Sequence, residues 1–121
     1  MFKKLKIGKV TVPMLANGAT PIRYKNIFHK DVITEFEGAR EDSSKVTNSM
    51  PELAFVMAMQ AQAKEGKVDL NLIDENMYIE WLEQFDAMDL PFASDEILDV
   101  YMGNNATSSE AKKKSEEQSE S

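Results

Sequence analysis

The chain lacks cysteine and has only one histidine and one tryptophan in 121 residues. Without cysteine it can form no disulfide framework, no thiolate zinc site and no thiol nucleophile. The single histidine, His29, has the pattern of a surface side chain rather than of a catalytic base. The five glycines are scattered and form no phosphate-binding loop. We therefore expect no catalytic residues, no cofactor and no enzymatic activity.

Charges of one sign are missing from long stretches of the chain. Residues 1–30 contain seven Lys or Arg and no Asp or Glu, whereas residues 68–111 contain no Lys or Arg. The formal net charge is −7, and a phosphate backbone requires a basic surface. We therefore expect no nucleic-acid partner. A chain sorted by charge in this way either folds its basic pole (residues 1–30) and its acidic pole (residues 68–111) together or presents them to other molecules.

Long hydrophobic runs are also absent. The longest mainly apolar segment, Leu53–Ala63, is interrupted by two glutamines and is too short to span a bilayer. The first residues, Met-Phe-Lys-Lys-Leu-Lys-Ile-Gly, lack the continuous apolar stretch of a signal peptide. These patterns predict a cytosolic protein without membrane contact.

The residues that are present predict a mainly α-helical domain of the α+β class over residues 1–103. β-forming residues around a Gly8-Lys9 turn predict a short hairpin or strand pair in residues 3–15. Capping signals predict helices that begin at Thr20-Pro21, Pro51, Asp74 and Ser94. A polar loop is expected at 41–49 and a hinge at Leu90–Phe92. Residues 104–121 contain no large apolar residue, which predicts a disordered polar tail.

Helical spacing also predicts which side chains are buried. In the first helix these are Ile22, Ile27 and Phe28, with Tyr24 extending the same stripe. After Asp31, which could start a further turn, they are Val32, Ile33, Phe36 and Ala39. The third set is Met77, Tyr78, Trp81, Leu82 and Phe85, and the last is Ile97, Leu98, Tyr101 and Met102.

The segment 51–64 is apolar on nearly every side, which leaves two interpretations. It is either the central helix of the core, or it buries a second face in a partner. The methionines likewise either fill gaps in the core or line an adaptable groove. For the second interpretation, the candidate partner-binding apolar residues are Phe55, Met57, Met59, Trp81 and Met88.

Acidic residues cluster between positions 86 and 99. Asp86, Asp89, Asp95, Glu96 and Asp99 could in principle surround a divalent cation, but they lack the alternating donors and the turn glycine of a calcium loop. We therefore expect a solvated acidic face and no metal site. If copies of the chain stack into a homo-oligomer, we expect Lys3, Lys6 and Lys9 of one copy to face Asp86, Asp89 and Asp99 of the next.

Four segments in this order resemble a known protein family. They are Arg23–Asp31, the Met- and Ala-rich Leu53–Ala63, Tyr78–Asp86, and the short acidic segment Asp95–Met102. Together they resemble the small tail assembly chaperones of long-tailed bacteriophages, over roughly residues 1–103. The resemblance implies a non-enzymatic protein that binds the tape measure protein, keeps it soluble and helps to load tail tube protein. It also implies that the protein acts in the host cytoplasm and leaves before the virion is complete.

The family commonly makes a short product and a longer one that arises by ribosomal frameshifting, and this chain resembles a short form. Lys112–Lys114 could be encoded by a slippery run of adenines, or could only keep the tail solvated. A different class of function stays open beside the chaperone. The base-free acidic run is also compatible with a small acidic regulator that mimics nucleic acid and inhibits a DNA-binding partner.

Overall fold

The fold, taken from a computed structural model, is described for residues 1–35 and 44–103. Strands β1 (Phe2–Ile7) and β2 (Val10–Leu15) form an antiparallel hairpin, in which Phe2 lies opposite Leu15 and Ile7 opposite Val10. The predicted strand pair is therefore confirmed. Gly8 opens the two-residue turn with a φ of 61°, a conformation that glycine adopts without steric cost. The predicted tail at 104–121 lies outside the described residues.

Side chains alternate across the hairpin because successive strand residues point to opposite faces. The inward face is buried and consists of Leu5, Ile7, Val12 and Met14. The outward face carries the exposed Lys4, Lys6 and Thr11. The hairpin therefore contributes one apolar face to the core and one basic face to the surface.

Helix α1 (Thr20–Phe28) begins one residue earlier than predicted, because Ala19 occupies the cap position and Thr20 lies inside the helix. The Thr20 hydroxyl is buried and accepts a hydrogen bond from the Asn17 N–H at 2.9 Å. The buried face is also shifted. Tyr24 and Phe28, four residues apart, point inward, whereas the predicted core residue Ile22 is 62% exposed.

The end of α1 leads to a stability prediction. His29 closes the helix with a φ of 60°, and its N–H donates to the Lys25 carbonyl at 2.8 Å. A left-handed residue at this position favours glycine. We expect His29→Gly to raise the free energy of unfolding by about 0.5–1 kcal/mol. Asn26→Gly, in the interior of the same helix, should lower it by about 0.5–1 kcal/mol. Urea denaturation measures both, and a loss of stability in both variants would contradict the prediction.

Helix α2 (Ser44–Lys64) is longer than the predicted 51–64, and most of the expected polar loop at 41–49 belongs to it. Pro51 lies inside the helix instead of opening it. Proline removes one intrahelical donor, but the residues just before it, Ser49 and Met50, are buried. Packing of this turn against the core therefore outweighs the local stop signal.

Four elements follow α2: a 3₁₀ segment (Leu70–Leu72) and helices α3 (Glu75–Leu82), α4 (Asp89–Phe92) and α5 (Ser94–Met102). The predicted cap of α3 is confirmed, because an Asp74 carboxylate oxygen accepts from the Met77 N–H at 3.0 Å. Helix α3 ends at Leu82 rather than near residue 85.

Three predictions around α4 and α5 are wrong. The expected hinge at Leu90–Phe92 is a single helical turn. Ser94 does not cap α5, because its hydroxyl donates backwards to the Pro91 carbonyl at 2.8 Å. In α5 the fully buried residues are Ile97 and Val100, whereas Met102, predicted to be buried, is 64% exposed.

After Asp31, the expected short helix is only partly described. The Asp31 carboxylate accepts from the N–H groups of Ile33 and Thr34 at 2.9 and 3.2 Å. Val32 is buried, but Ile33 is 66% exposed, which contradicts its predicted position on the core face. The other two predicted members, Phe36 and Ala39, lie outside the described residues.

Helix α2 is the centre of the domain. It contacts β2, α1, α3, α4 and α5, and every residue from Leu53 to Ala58 is at most 1% exposed. Because neighbours within the chain surround the helix, it can be apolar on all sides without exposing apolar surface. The first of the two interpretations of this segment is therefore confirmed.

A buried glutamine joins α2 to the hairpin and to α1. The Gln60 amide nitrogen donates to the Leu15 carbonyl at 2.6 Å and to the Thr20 hydroxyl at 2.8 Å. The Gln60 amide oxygen accepts from the Arg23 guanidinium at 2.9 Å. Among the described side chains, those of residues 1–35 and 49–103, every buried nitrogen or oxygen has a hydrogen-bond partner. Such fully satisfied buried networks fix the relative position of the elements that they join.

Candidate partner-binding surface

Four of the five apolar residues predicted to bind a partner are core residues. Phe55 and Met57 are fully buried, Met59 is 4% exposed and Trp81 is 8% exposed. This corrects their assignment to a binding surface. The physical reason is that the elements around α2 cover these side chains from within the same chain.

The aromatic residues form one continuous cluster in this core. The ring of Phe55 lies 5.3 Å from that of Tyr78 and 5.6 Å from that of Trp81, measured between centroids. Phe28 lies 5.0 Å from Tyr78, and Phe85 lies 4.9 Å from Trp81, both edge to face. These distances are in the favourable range for aromatic pairs. The cluster rigidly positions α3 against α1 and α2.

Met88 is the predicted apolar contact that the structure leaves accessible. It is 53% exposed, and Phe92, one helical turn later, is 79% exposed. The Phe92 N–H donates to the Met88 carbonyl at 3.1 Å, so both residues belong to the same turn, and residues four apart in a turn lie on one side of it. Sequence reasoning missed Phe92 because Leu90–Phe92 was interpreted as a hinge.

A groove of about 500 Å³ runs beside this turn. Its walls come from α3, from the loop before α4, from α4 itself and from the buried part of α2 that begins at Pro51. The lining exposes polar and apolar groups in similar measure and consists of Lys30, Pro51, Glu52, Tyr78, Leu82, Phe85, Asp86, Ala87, Leu90 and Pro91. We call this surface, together with the exposed Met88 and Phe92, the α4 groove.

The charged groups at one end of the α4 groove are paired with each other. The Lys30 ammonium lies 2.9 and 3.1 Å from the two carboxylate oxygens of Glu52, and the Tyr24 hydroxyl donates to the same carboxylate at 2.9 Å. A Glu35 oxygen lies 3.9 Å from the Lys30 ammonium. Burial and the negative charge of Glu52 raise the pKa of Tyr24 well above its usual range.

The same two causes raise the pKa of Tyr78, which lines the groove. Both tyrosines therefore stay neutral hydroxyl groups at physiological pH. With its carboxylate already held by Lys30 and Tyr24, Glu52 has the surroundings of a structural ion pair. The Glu52 carboxylate is thus a paired group in the groove and not a free charge. No pattern in the sequence indicated this contact, because its members are about 20 to 30 positions apart.

The three predicted acidic contacts lie in different surroundings. Asp86 is exposed at the groove, and its N–H donates to the Asp89 carboxylate at 2.9 Å. The Asp89 carboxylate itself lies against the hairpin turn, so closely that a Cβ on Gly8 would overlap it. Asp99 is half-buried in α5.

The three predicted basic contacts lie on the hairpin. Lys6 and Lys9 are exposed and Lys3 is half-buried. Because Asp89 contacts Gly8 and β1 contacts α5 within one chain, the basic and acidic segments meet inside the molecule. The pairing between copies stays a prediction, and part of the acidic segment that it requires is already covered.

Two further properties of the described residues bear on function. In that part of the chain, no three His, Asp or Glu side chains come together as metal ligands would. None of its helices has the length and apolar character needed to cross a bilayer. Comparisons of the chain with protein-family models, with curated proteins and with solved structures found no match.

Proposed function

We propose that the protein is a tail assembly chaperone of a long-tailed bacteriophage, which binds the tape measure protein, keeps it soluble and assists assembly of the tail tube. The observation that carries this proposal is the α4 groove, which is lined by both apolar and polar groups and lies next to two exposed apolar side chains, Met88 and Phe92. An amphipathic helix binds to such a groove through a stripe of apolar residues.

The placement of the family-like segments supports the same function. Arg23–Asp31 supplies Lys30, and Tyr78–Asp86 supplies one wall of the groove. The Leu53–Ala63 segment contacts both through Phe55, whose ring lies 6.3 Å from that of Phe28 and 5.3 Å from that of Tyr78. Three of the four segments that resemble the chaperone family therefore lie at, or pack against, the surface that we assign to the client.

The charges of the groove favour one kind of client helix. Asp86 adds a negative charge to the lining, and no Lys or Arg occurs between Lys67 and Lys112. The one lysine in the lining, Lys30, is already paired with Glu52. A client helix with Lys or Arg on either side of its apolar stripe would therefore be favoured.

The function is tested by co-expressing the protein with the tape measure protein of the same phage. We expect the client to stay soluble and to co-purify with the native chain. Met88→Asp with Phe92→Asp should remove this effect, because two carboxylates would be desolvated in the contact. Both side chains are exposed, so the melting temperature should stay nearly unchanged.

The matched control is Ile22→Asp with Leu72→Asp, at two residues that are equally exposed and outside the groove. This variant should protect the client as the native chain does. If the client precipitates to the same extent with and without the native chain, the proposed function is wrong. If the native chain protects the client and the Met88/Phe92 variant protects it equally well, the function stands and the assignment of the groove is wrong.

A further inference from the structure

The hairpin presents one unprotected strand edge to its surroundings. Met1 and Ala16 exchange two backbone hydrogen bonds, one of them from the Ala16 N–H to the Met1 carbonyl at 2.8 Å. In an antiparallel pair, hydrogen-bonded and non-bonded positions alternate. The backbone groups of Phe2, Lys4 and Lys6 therefore point away from β2. No backbone or side-chain hydrogen bond from any described residue reaches these outward groups.

The opposite edge of the hairpin is protected in two ways. Pro13, at an outward position of β2, has no N–H to donate. The carbonyl of Leu15, at the next outward position, already accepts from Gln60 at 2.6 Å. Edge strands are commonly blocked by proline, by covering groups or by charge. β1 contacts α5, but no hydrogen bond from a described residue reaches its outward backbone groups, and the strand is regular over six residues without proline or glycine. Its lysines are therefore the main device that limits pairing at this edge.

The charges of β1 determine what can pair with its edge. Lys4 and Lys6 are exposed on the outward face, Lys3 is half-buried, and residues 1–30 contain no acid. A second copy that paired through its own β1 would place lysines next to lysines, which is unfavourable for residues directly opposite each other. An extended segment with glutamate or aspartate at alternate positions would place a carboxylate opposite each outward lysine.

We propose that β1 is a docking edge for an extended acidic segment of another protein, which would add a third strand to the hairpin. The outward N–H and C=O groups of Phe2, Lys4 and Lys6 would supply the hydrogen bonds, and Lys4 and Lys6 would select for acidic side chains. This site uses the outer side of the hairpin and none of the groove residues, so it is independent of the proposed client site.

Amide hydrogen exchange on the full chain, followed by NMR, tests the proposal. The probe is a blocked seven-residue peptide of alternating glutamate and valine. In the free protein, the amides of Phe2, Lys4 and Lys6 should exchange fast, whereas those of Leu5 and Val12 should be protected by the ladder. Saturating peptide should slow exchange at the three outward amides by about tenfold or more and should leave the α4 groove unperturbed.

Two matched comparisons separate strand pairing from general charge attraction. A peptide of the same sequence and charge in which the glutamate backbone nitrogens are methylated cannot donate to the ladder and should give no protection. Lys4→Glu with Lys6→Glu should lose binding of the glutamate peptide and gain binding of the corresponding lysine peptide, with little change in melting temperature.

Equal binding of the peptide with methylated glutamate nitrogens would overturn the proposal. So would protection of the outward amides that rises with protein concentration alone, because the edge would then pair with a second copy.

Discussion

Replacing Phe55 by alanine should lower the free energy of unfolding by about 3–5 kcal/mol, the usual range for a buried phenylalanine. Phe55 is fully buried at the centre of α2, and its ring contacts those of Phe28, Tyr78 and Trp81. The change would leave a cavity that three elements border and that none can fill without moving. For a domain of ordinary stability this is a large fraction of the total.

Phe92→Ala is the matched control, because it makes the same chemical change at a side chain that is 79% exposed. It should alter stability by no more than about 0.5 kcal/mol. Urea unfolding with a constant m-value measures both variants. Equal effects at the two positions would show that the aromatic cluster is not the core. If the α4 groove binds the client, Phe92→Ala should also weaken that binding without affecting folding.

Gly8→Ala should cost about 2–5 kcal/mol, from two causes that act at one residue. The φ of 61° is left-handed, which costs an L-residue about 1–2 kcal/mol. A Cβ at this position would also overlap the Asp89 carboxylate, and forcing atoms into a packed contact costs about 1–3 kcal/mol. The carboxylate cannot turn aside freely, because it accepts the Asp86 N–H at 2.9 Å.

Alanine substitutions at two other glycines separate the backbone cost from the steric cost. Gly66 has a φ of 76° but has no atom within 4 Å of an added Cβ, so Gly66→Ala should show the backbone cost alone. Gly18 lies in open space without a positive φ, so Gly18→Ala should be neutral or slightly stabilising.

A double-mutant cycle with Asp89→Ala should recover the steric part of the Gly8→Ala loss. Thermal unfolding of the five variants measures all of these effects. A Gly8→Ala loss no larger than that of Gly66→Ala would contradict the close contact between the hairpin turn and α4.

The Gly8–Asp89 contact also changes how the sorted charges are understood. The sequence allowed the two poles either to fold together or to face other molecules. The hairpin turn and the acidic α4 meet within one chain, so folding uses part of both poles. The outward lysines of β1, Lys4 and Lys6, stay exposed, as do Lys9 and Lys25, and these residues of the basic pole are available to a partner.

Local signals in the sequence correctly predicted the turns and helix ends that are set by contacts within a few residues. The Gly8 turn, the Asp74 cap and the Gly103 end of α5 are set by backbone geometry within a few residues. The same kind of signal failed at Pro51 and Ser94. At both positions the decisive contacts are with packed neighbours or with carbonyl groups of the preceding turn.

The candidate site was predictable only in part. Met88 was identified as an accessible apolar residue, and the groove also contains the predicted acidic contact Asp86. Phe55, Met57, Met59 and Trp81 were on the same list, but they are buried. Hydrophobicity and helical spacing are identical for a residue that faces the core and for one that faces a partner, so the pattern could not separate the two groups.

By itself, the sequence determined the class of fold, the hairpin, the central apolar helix and the lack of a cysteine-based site, because each depends on residue type and short-range spacing. Tertiary structure alone decided which apolar residues stay exposed, how Lys30 and Tyr24 hold Glu52, and that Asp89 lies against Gly8. These features join positions that are about 20 to 80 residues apart. Their geometry follows from how the surrounding elements pack on α2, which no local pattern encodes.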